Sequence, residues 1–253
     1  MENKKDGFTL VELLITLAII GVVAVITLPA IYNKIQKDIT VNRLKKVYSE
    51  FQQAIRLSQA ENGDMSSWNA DQKCSAFFEE YIGKYMPLSG KKSLSKNGAN
   101  GITYKTISGQ TEIGLAILRN DGNFRGNYNY FTKNGTQIFV SNYTYQTCRF
   151  KFDILIDING YNKPNQFGKD VFIFGFDIRY PEHGVYLSGM YSTGEYSFPV
   201  EPNLNRNYLK NGKYGINGMN YRYECNKKAD SRGMWCGALI YADGWKISKD
   251  YPW

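Results

Sequence analysis

From Phe8 to Asn33 the chain is almost wholly apolar and carries a single charge, Glu12; the next charged residue is Lys34. A helix needs about 20 such residues to cross a bilayer, so the run predicts a membrane-spanning helix. Beyond it the pattern becomes one-sided. Ile31, Ile35 and Ile39, then Leu44, Val47, Phe51, Ala54 and Ser58, recur at the three-to-four spacing of one helix face, with Lys34, Lys37, Arg43, Lys45 and Lys46 mostly between them. Asn62-Gly63 is a helix stop. One helix is therefore predicted from about Phe8 to Glu61, bent at Pro29. Its second half should pack against the rest of the chain.

The pattern then shortens. Asp71 to Met86 reads as a second helix with Phe77, Phe78, Tyr81, Ile82 and Tyr85 near one side, ended by Pro87 and the polar run Ser89 to Gly101. Short runs rich in β-branched and aromatic residues follow at Ile102 to Ile107, Glu112 to Leu118, Thr136 to Val140, Thr147 to Ile158, Val171 to Ile178 and Val185 to Leu187. Turns such as Asn120-Asp121-Gly122-Asn123 and Lys133-Asn134-Gly135 separate them. Strands without long intervening helices predict an antiparallel sheet laid on the first helix, an α+β fold. Tyr191 to Met219, rich in Gly, Pro and Asn, reads as a long irregular loop, and Gly237 to Ile247 as a last strand pair around Asp243-Gly244.

Glu12 is the anomaly in the apolar run. A carboxylate in lipid costs a few kcal/mol unless it is paired, and a plain anchor gains nothing from it. The stretch Gly7-Phe8-Thr9-Leu10-Val11-Glu12-Leu13-Leu14 resembles the cleavage and methylation motif of type IV pilins and of the pseudopilins of type II secretion systems. The resemblance implies a prepilin peptidase that cuts after Gly7 and methylates the new amino terminus at Phe8. It implies that Glu12 guides docking into a helical filament, and that Pro29 is a helix-kinking proline. It also implies other pilin or pseudopilin subunits and an inner-membrane assembly platform as partners, and a bacterial inner-membrane location before assembly. The chemistry fits without the family: a new α-amine at Phe8 is a cation, and Glu12 of a neighbouring subunit is its natural partner in an apolar bundle. Such a pair fixes register more than it adds stability. The expected division is a leader at 1–7, an apolar assembly helix at 8–33, its amphipathic continuation at 34–62 and an extracytoplasmic, pilin-like head at 63–253.

Charge complicates this placement. Lys34 to Arg56 holds six basic and two acidic side chains, a net of +4, whereas the leader carries no net charge. Counted alone, that asymmetry would keep the head cytoplasmic; the resemblance to processed pilins implies the opposite. Four cysteines suit an oxidising side. Cys225 and Cys236 bracket a short polar loop and make one expected disulfide, leaving Cys74 with Cys148, although four cysteines allow three pairings.

The densest polar segment runs from Asp157 to Asp170 and resembles a D-x-N-G…P-N-x-x-G-x-D segment of pilin-like proteins. Some pseudopilin heads hold calcium in a loop, and Asp157, Asn159, Asn165 and Asp170 supply the oxygens calcium wants. The same residue types also make a tight ion-free connection between strands. Signs of catalysis are sparse: His183 is the single histidine, in a turn-like Pro181-Glu182-His183-Gly184, and no G-x-S-x-G, H-E-x-x-H or P-loop occurs. The expectation is a structural subunit, not an enzyme. Two other readings stay open: a minor pilin whose head, with 20 Tyr along the chain, binds DNA or surface glycans, and a membrane-anchored enzyme. A net charge of only +5 from Leu57 onward argues against nucleic acid, whose binding rests on many phosphate contacts.

Overall fold

The computed structural model describes residues 7, 9–93, 102–111, 128–140, 147–148, 151–189, 205–212, 214–216, 219–228 and 231–253. The chain divides into two compact units, Met1–Ile39 and Thr40–Trp253.

Helix α1, Leu10–Asn62, has 53 residues, about 80 Å at 1.5 Å per residue. Gly63, at φ +79°, ends it and donates to the Gln59 carbonyl at 3.0 Å. In the first unit the apolar side chains are exposed: Leu10 at 72% and Val25 at 75%. Thr16 and Thr27 return their hydroxyls to the Leu13 and Val23 carbonyls at 2.9 and 2.8 Å, so these polar side chains need no water. The predicted packing face is thus divided. Ile31, Ile35 and Ile39 are exposed, and burial begins at Thr40 and continues through Val41, Leu44, Val47, Phe51, Ala54, Ile55 and Ser58.

In the second unit that face packs on an antiparallel sheet. Its strands are β1 (Leu88–Ser93), β2 (Tyr128–Thr132), β3 (Gln137–Val140), β4 (Lys151–Asp157), β5 (Val171–Asp177) and β6 (Val185–Leu187). They pair in sequence order, β1-β2-β3-β4-β5-β6. Phe51 lies 5.4 Å from Phe174 and 6.4 Å from Phe78, ring centre to ring centre, and Gln52 donates to the Val185 carbonyl at 2.6 Å. The fold is α+β and pilin-like, a long amino-terminal helix whose carboxyl half lies on an antiparallel sheet.

Several local expectations change. The second helix is two pieces, α2 (Cys74–Tyr81) and a 3-10 turn at Gly83–Tyr85, broken at Ile82. The expected strand at Ile102 to Ile107 reduces to bridges from Lys105 to Thr111 and Gln166. The expected strand at Glu112 to Leu118, the turn at Asn120 to Asn123 and the first part of the Tyr191 to Met219 loop lie outside the described residues. The latter part of that loop holds helix α3 (Arg206–Asn211) and strand β7 (Tyr214–Ile216), which pairs with β8 (Met219–Tyr221). The expected last strand pair is instead helix α4 (Cys236–Ala242), followed by turns. Its residues from Cys236 to Ile240 are all buried, and a short apolar run buried on every side carries no period that separates helix from strand.

Disulfides join Cys74 to Cys148 and Cys225 to Cys236, across 74 and 11 residues. In the chain-entropy view closing the longer loop stabilises by about 4 kcal/mol and the shorter by about 3 kcal/mol. Replacing Cys74 and Cys148 by serine should therefore lower the melting temperature more than replacing Cys225 and Cys236, as thermal unfolding by circular dichroism would record. Equal losses would contradict the loop-closure account.

The carboxyl-terminal segment is held on the head. The Arg206 guanidinium donates to Asp243 at 2.7 Å, to Ser248 at 2.9 Å and to Asp250, which also accepts from Lys210 at 2.6 Å. Arg206 and Lys210 hold the Asp250 carboxyl well below its ordinary range. Trp245 packs 5.6 Å from Tyr48, and Tyr251 is buried with its hydroxyl donating to the Gly168 carbonyl at 2.6 Å. These aromatic residues cover the head's own core.

Candidate functional site

Two places hold the chemistry the sequence singles out. The first is the start of α1. Thr9 is the residue before the helix and Glu12 the third residue in it. Thr9 N–H and Thr9 Oγ1 both donate to Glu12 Oε2 at 2.8 Å, and Glu12 N–H returns to Thr9 Oγ1 at 3.2 Å. This is a reciprocal capping box, satisfying donors that a helix start leaves open. It also gives the Glu12 carboxylate two donors within its own chain. The local signal for it is the spacing Thr9-x-x-Glu12, which the pilin resemblance, resting on Glu12, does not include. Gly7 is exposed, Phe8 lies outside the described residues, and Pro29 stands inside α1 with its surface exposed.

The second place is the loop between β4 and β5. The two strands pair from Lys151↔Asp177 to Asp157↔Val171, so Asp157 closes one strand and Asp170 precedes the other. Both carboxylates are buried, at 0% and 3% exposure. Asp170 Oδ2 accepts from Asn165 N–H at 2.8 Å and Oδ1 from Gln166 N–H at 2.6 Å. Asp157 Oδ2 accepts from the Tyr104 hydroxyl at 3.2 Å, and Oδ1 from Asn159 N–H at 3.3 Å. Tyr104 lies 53 residues away in sequence, and nothing local announced it. Burial, and then the charge of Asp170, pushes Asp157 up to about 8; burial also raises Asp170, against its hydrogen bonds. Gly160 turns the loop at φ +68°, and a Cβ there would sit 2.5 Å from the Gly135 carbonyl oxygen. The structure brings Asp157, Asn159, Asn165 and Asp170 into one loop base. Among the described residues no group of three or more His, Cys, Asp or Glu side chains converges. His183 sits in a 3-10 turn with its ring stacked on Tyr180.

A family model described as a family of unknown function (DUF6613) matches residues 30–253. The chain belongs to that family. A second model, the prokaryotic N-terminal methylation motif, matches residues 3–28, so the two meet beside Pro29. Fimbrial protein EcpC of Eikenella corrodens is 28% identical over 137 residues, which span 49% of this chain and 82% of that protein. No solved structure matches the chain. The methylation motif covers Gly7, Phe8 and Glu12 and marks this member of the family as pilin-like. Its apolar helix is the one helix among the described residues long and apolar enough to cross a membrane.

Proposed function

We propose that this chain is a structural subunit, cut by a prepilin peptidase between Gly7 and Phe8 and methylated on Phe8. It is anchored in the bacterial inner membrane by α1, then moved by an assembly platform into a type IV pilus or type II secretion pseudopilus. The observation that carries this reading is the start of α1: a carboxylate, Glu12, held in a capping box at the head of a helix whose apolar first part is exposed. An exposed apolar surface of that length marks a membrane or a protein interface, and a filament subunit uses both in turn. In the membrane, Thr9 supplies Glu12 with donors and lowers the cost of carrying a carboxylate there. Beside a neighbour, the free amine of Phe8 offers Glu12 a cation.

Glycine before the cut leaves the peptidase unobstructed. Gly7→Val is therefore expected to leave a chain that keeps its leader and stays in the membrane fraction, read by intact mass and by shearing. A variant processed and sheared off like the wild type would overturn this reading.

A further inference from the structure

The end of the head at which α1 becomes buried gathers positive charge. Thr40, where burial on the helix begins, donates its hydroxyl to the Lys169 carbonyl at 2.9 Å. Next to Lys169, the Gly168 carbonyl is held by the Tyr251 hydroxyl, and Lys227 Nζ donates to the Trp253 carbonyl at 2.6 Å. Lys169 and Lys227 come from distant segments, yet their ammonium groups are near enough to repel. Burial, and then the Lys227 charge, lowers Lys169, with Asp170 opposing. The Asp170 carboxylate already accepts from the Asn165 and Gln166 amides, and Asp250 is taken up by Arg206 and Lys210. Lys228 and Lys249, beside these contacts in sequence, are exposed and add to the charge. Like charges held together disfavour the charged state of both, and an anion lying against the two relieves that cost.

The chain itself says which anion is within reach. Thr40 follows Asn33, the last residue of the apolar run, by seven positions, about 10 Å of helix. A bilayer's headgroup layer begins where its hydrocarbon ends. A partly exposed tryptophan, Trp253, stands among these lysines. Tryptophan is enriched at membrane–water interfaces, and anionic lipids attract lysines that lie close to them.

We propose that this end of the head docks on anionic lipid headgroups, with Lys169 and Lys227 against the phosphate oxygens and Trp253 at the interface. The proposal rests on the reading of α1 as the membrane anchor. It gives the subunit a second hold on the bilayer, electrostatic where the first is apolar. Salt screens the second and leaves the first in place. A subunit drawn out of the membrane has to break both.

The test places the full chain in lipid nanodiscs, one set of phosphatidylcholine alone and one containing phosphatidylglycerol, and follows hydrogen exchange by mass spectrometry. In the anionic discs the amides of 225–228 and 246–253 are expected to exchange more slowly, by about fivefold for each lysine engaged. Raised salt should abolish the difference. Lys169→Gln combined with Lys227→Gln should return the rates to those of neutral discs. That variant is expected to fold, because it removes a repulsion and glutamine keeps a donor for the Trp253 carbonyl. Equal exchange in the two sets of discs would overturn the proposal and leave the anchor standing. So would slowing that the double variant retains, or equal slowing by inorganic phosphate in neutral discs, which would mark a site for a free anion. A chain that co-elutes with neither disc would overturn the anchor reading and the proposal with it.

Discussion

Glu12→Ala is expected to be cut and methylated normally and then to fail in assembly, remaining in the membrane fraction. A methylated amine at Phe8 of a neighbouring subunit would face an apolar bundle with no carboxylate. Removing one member of a buried ion pair costs about 3–5 kcal/mol. At 1.4 kcal/mol per tenfold, each subunit addition should be disfavoured by roughly a hundredfold to a few thousandfold. The measurement is the yield of subunit in the sheared fraction beside wild type, with intact mass confirming that cleavage is unaffected. A sheared yield equal to wild type would remove Glu12 from assembly. Thr9 sharpens the interpretation, because its hydroxyl and N–H hold the Glu12 carboxylate within the same chain. On the proposed assembly, Glu12 would exchange this internal partner for an external one.

The second large effect lies at the junction of α1 with the sheet. Phe51 is fully buried, with Phe174 on one side and Phe78 on another. Phe51→Ala is expected to destabilise the head by about 3–5 kcal/mol, since it removes ring contacts and leaves a cavity among rigid neighbours. For a domain of this size that is a fall of about 10 °C in melting temperature. A loss below about 1 kcal/mol would mean that the cavity collapses or that the helix face is not part of the core. The experiment also tests where the head begins. Burial on α1 starts at Thr40, so the amphipathic stretch is part of the folded head from that residue onward.

The residues that were legible in the sequence are those whose environment repeats. The α1 face from Leu44 to Ser58 keeps its three-to-four spacing because one side meets the sheet throughout. Strand β5, buried at every position, reads as a continuous apolar run, and β6 matches its predicted bounds at Val185 and Leu187. Strand β1 did not register, because Ser89 to Ser93 are all exposed and an edge strand of Lys, Ser and Gly resembles a loop. Strand β2, Tyr128–Thr132, was hidden by its asparagine and short length. Helix α3 carries a start signal in Asn205, whose side chain accepts from Tyr208 N–H at 3.1 Å, but six residues give too little period to outweigh a Gly- and Asn-rich setting. Helix α4 reads as strand in the sequence because Gly237, Ile240 and Tyr241 suit a short buried strand equally well.

The candidate sites divide in the same way. Gly7, Phe8 and Glu12 stand out because order and spacing are local. In the β4–β5 loop the polar residues were visible, but the burial of Asp157 and Asp170 was not, since it depends on a hairpin register and on Tyr104 from another part of the chain. Local composition supplies the polar residues; only the fold shows that the two carboxylates are buried close together.

The most direct test of the central claim is an intact mass and amino-terminal sequence of the protein recovered from sheared surface material of the native cell. A chain beginning at N-methylated Phe8 is the predicted result. A chain still beginning at Met1, or one confined to the membrane and absent from the sheared fraction, would contradict the account.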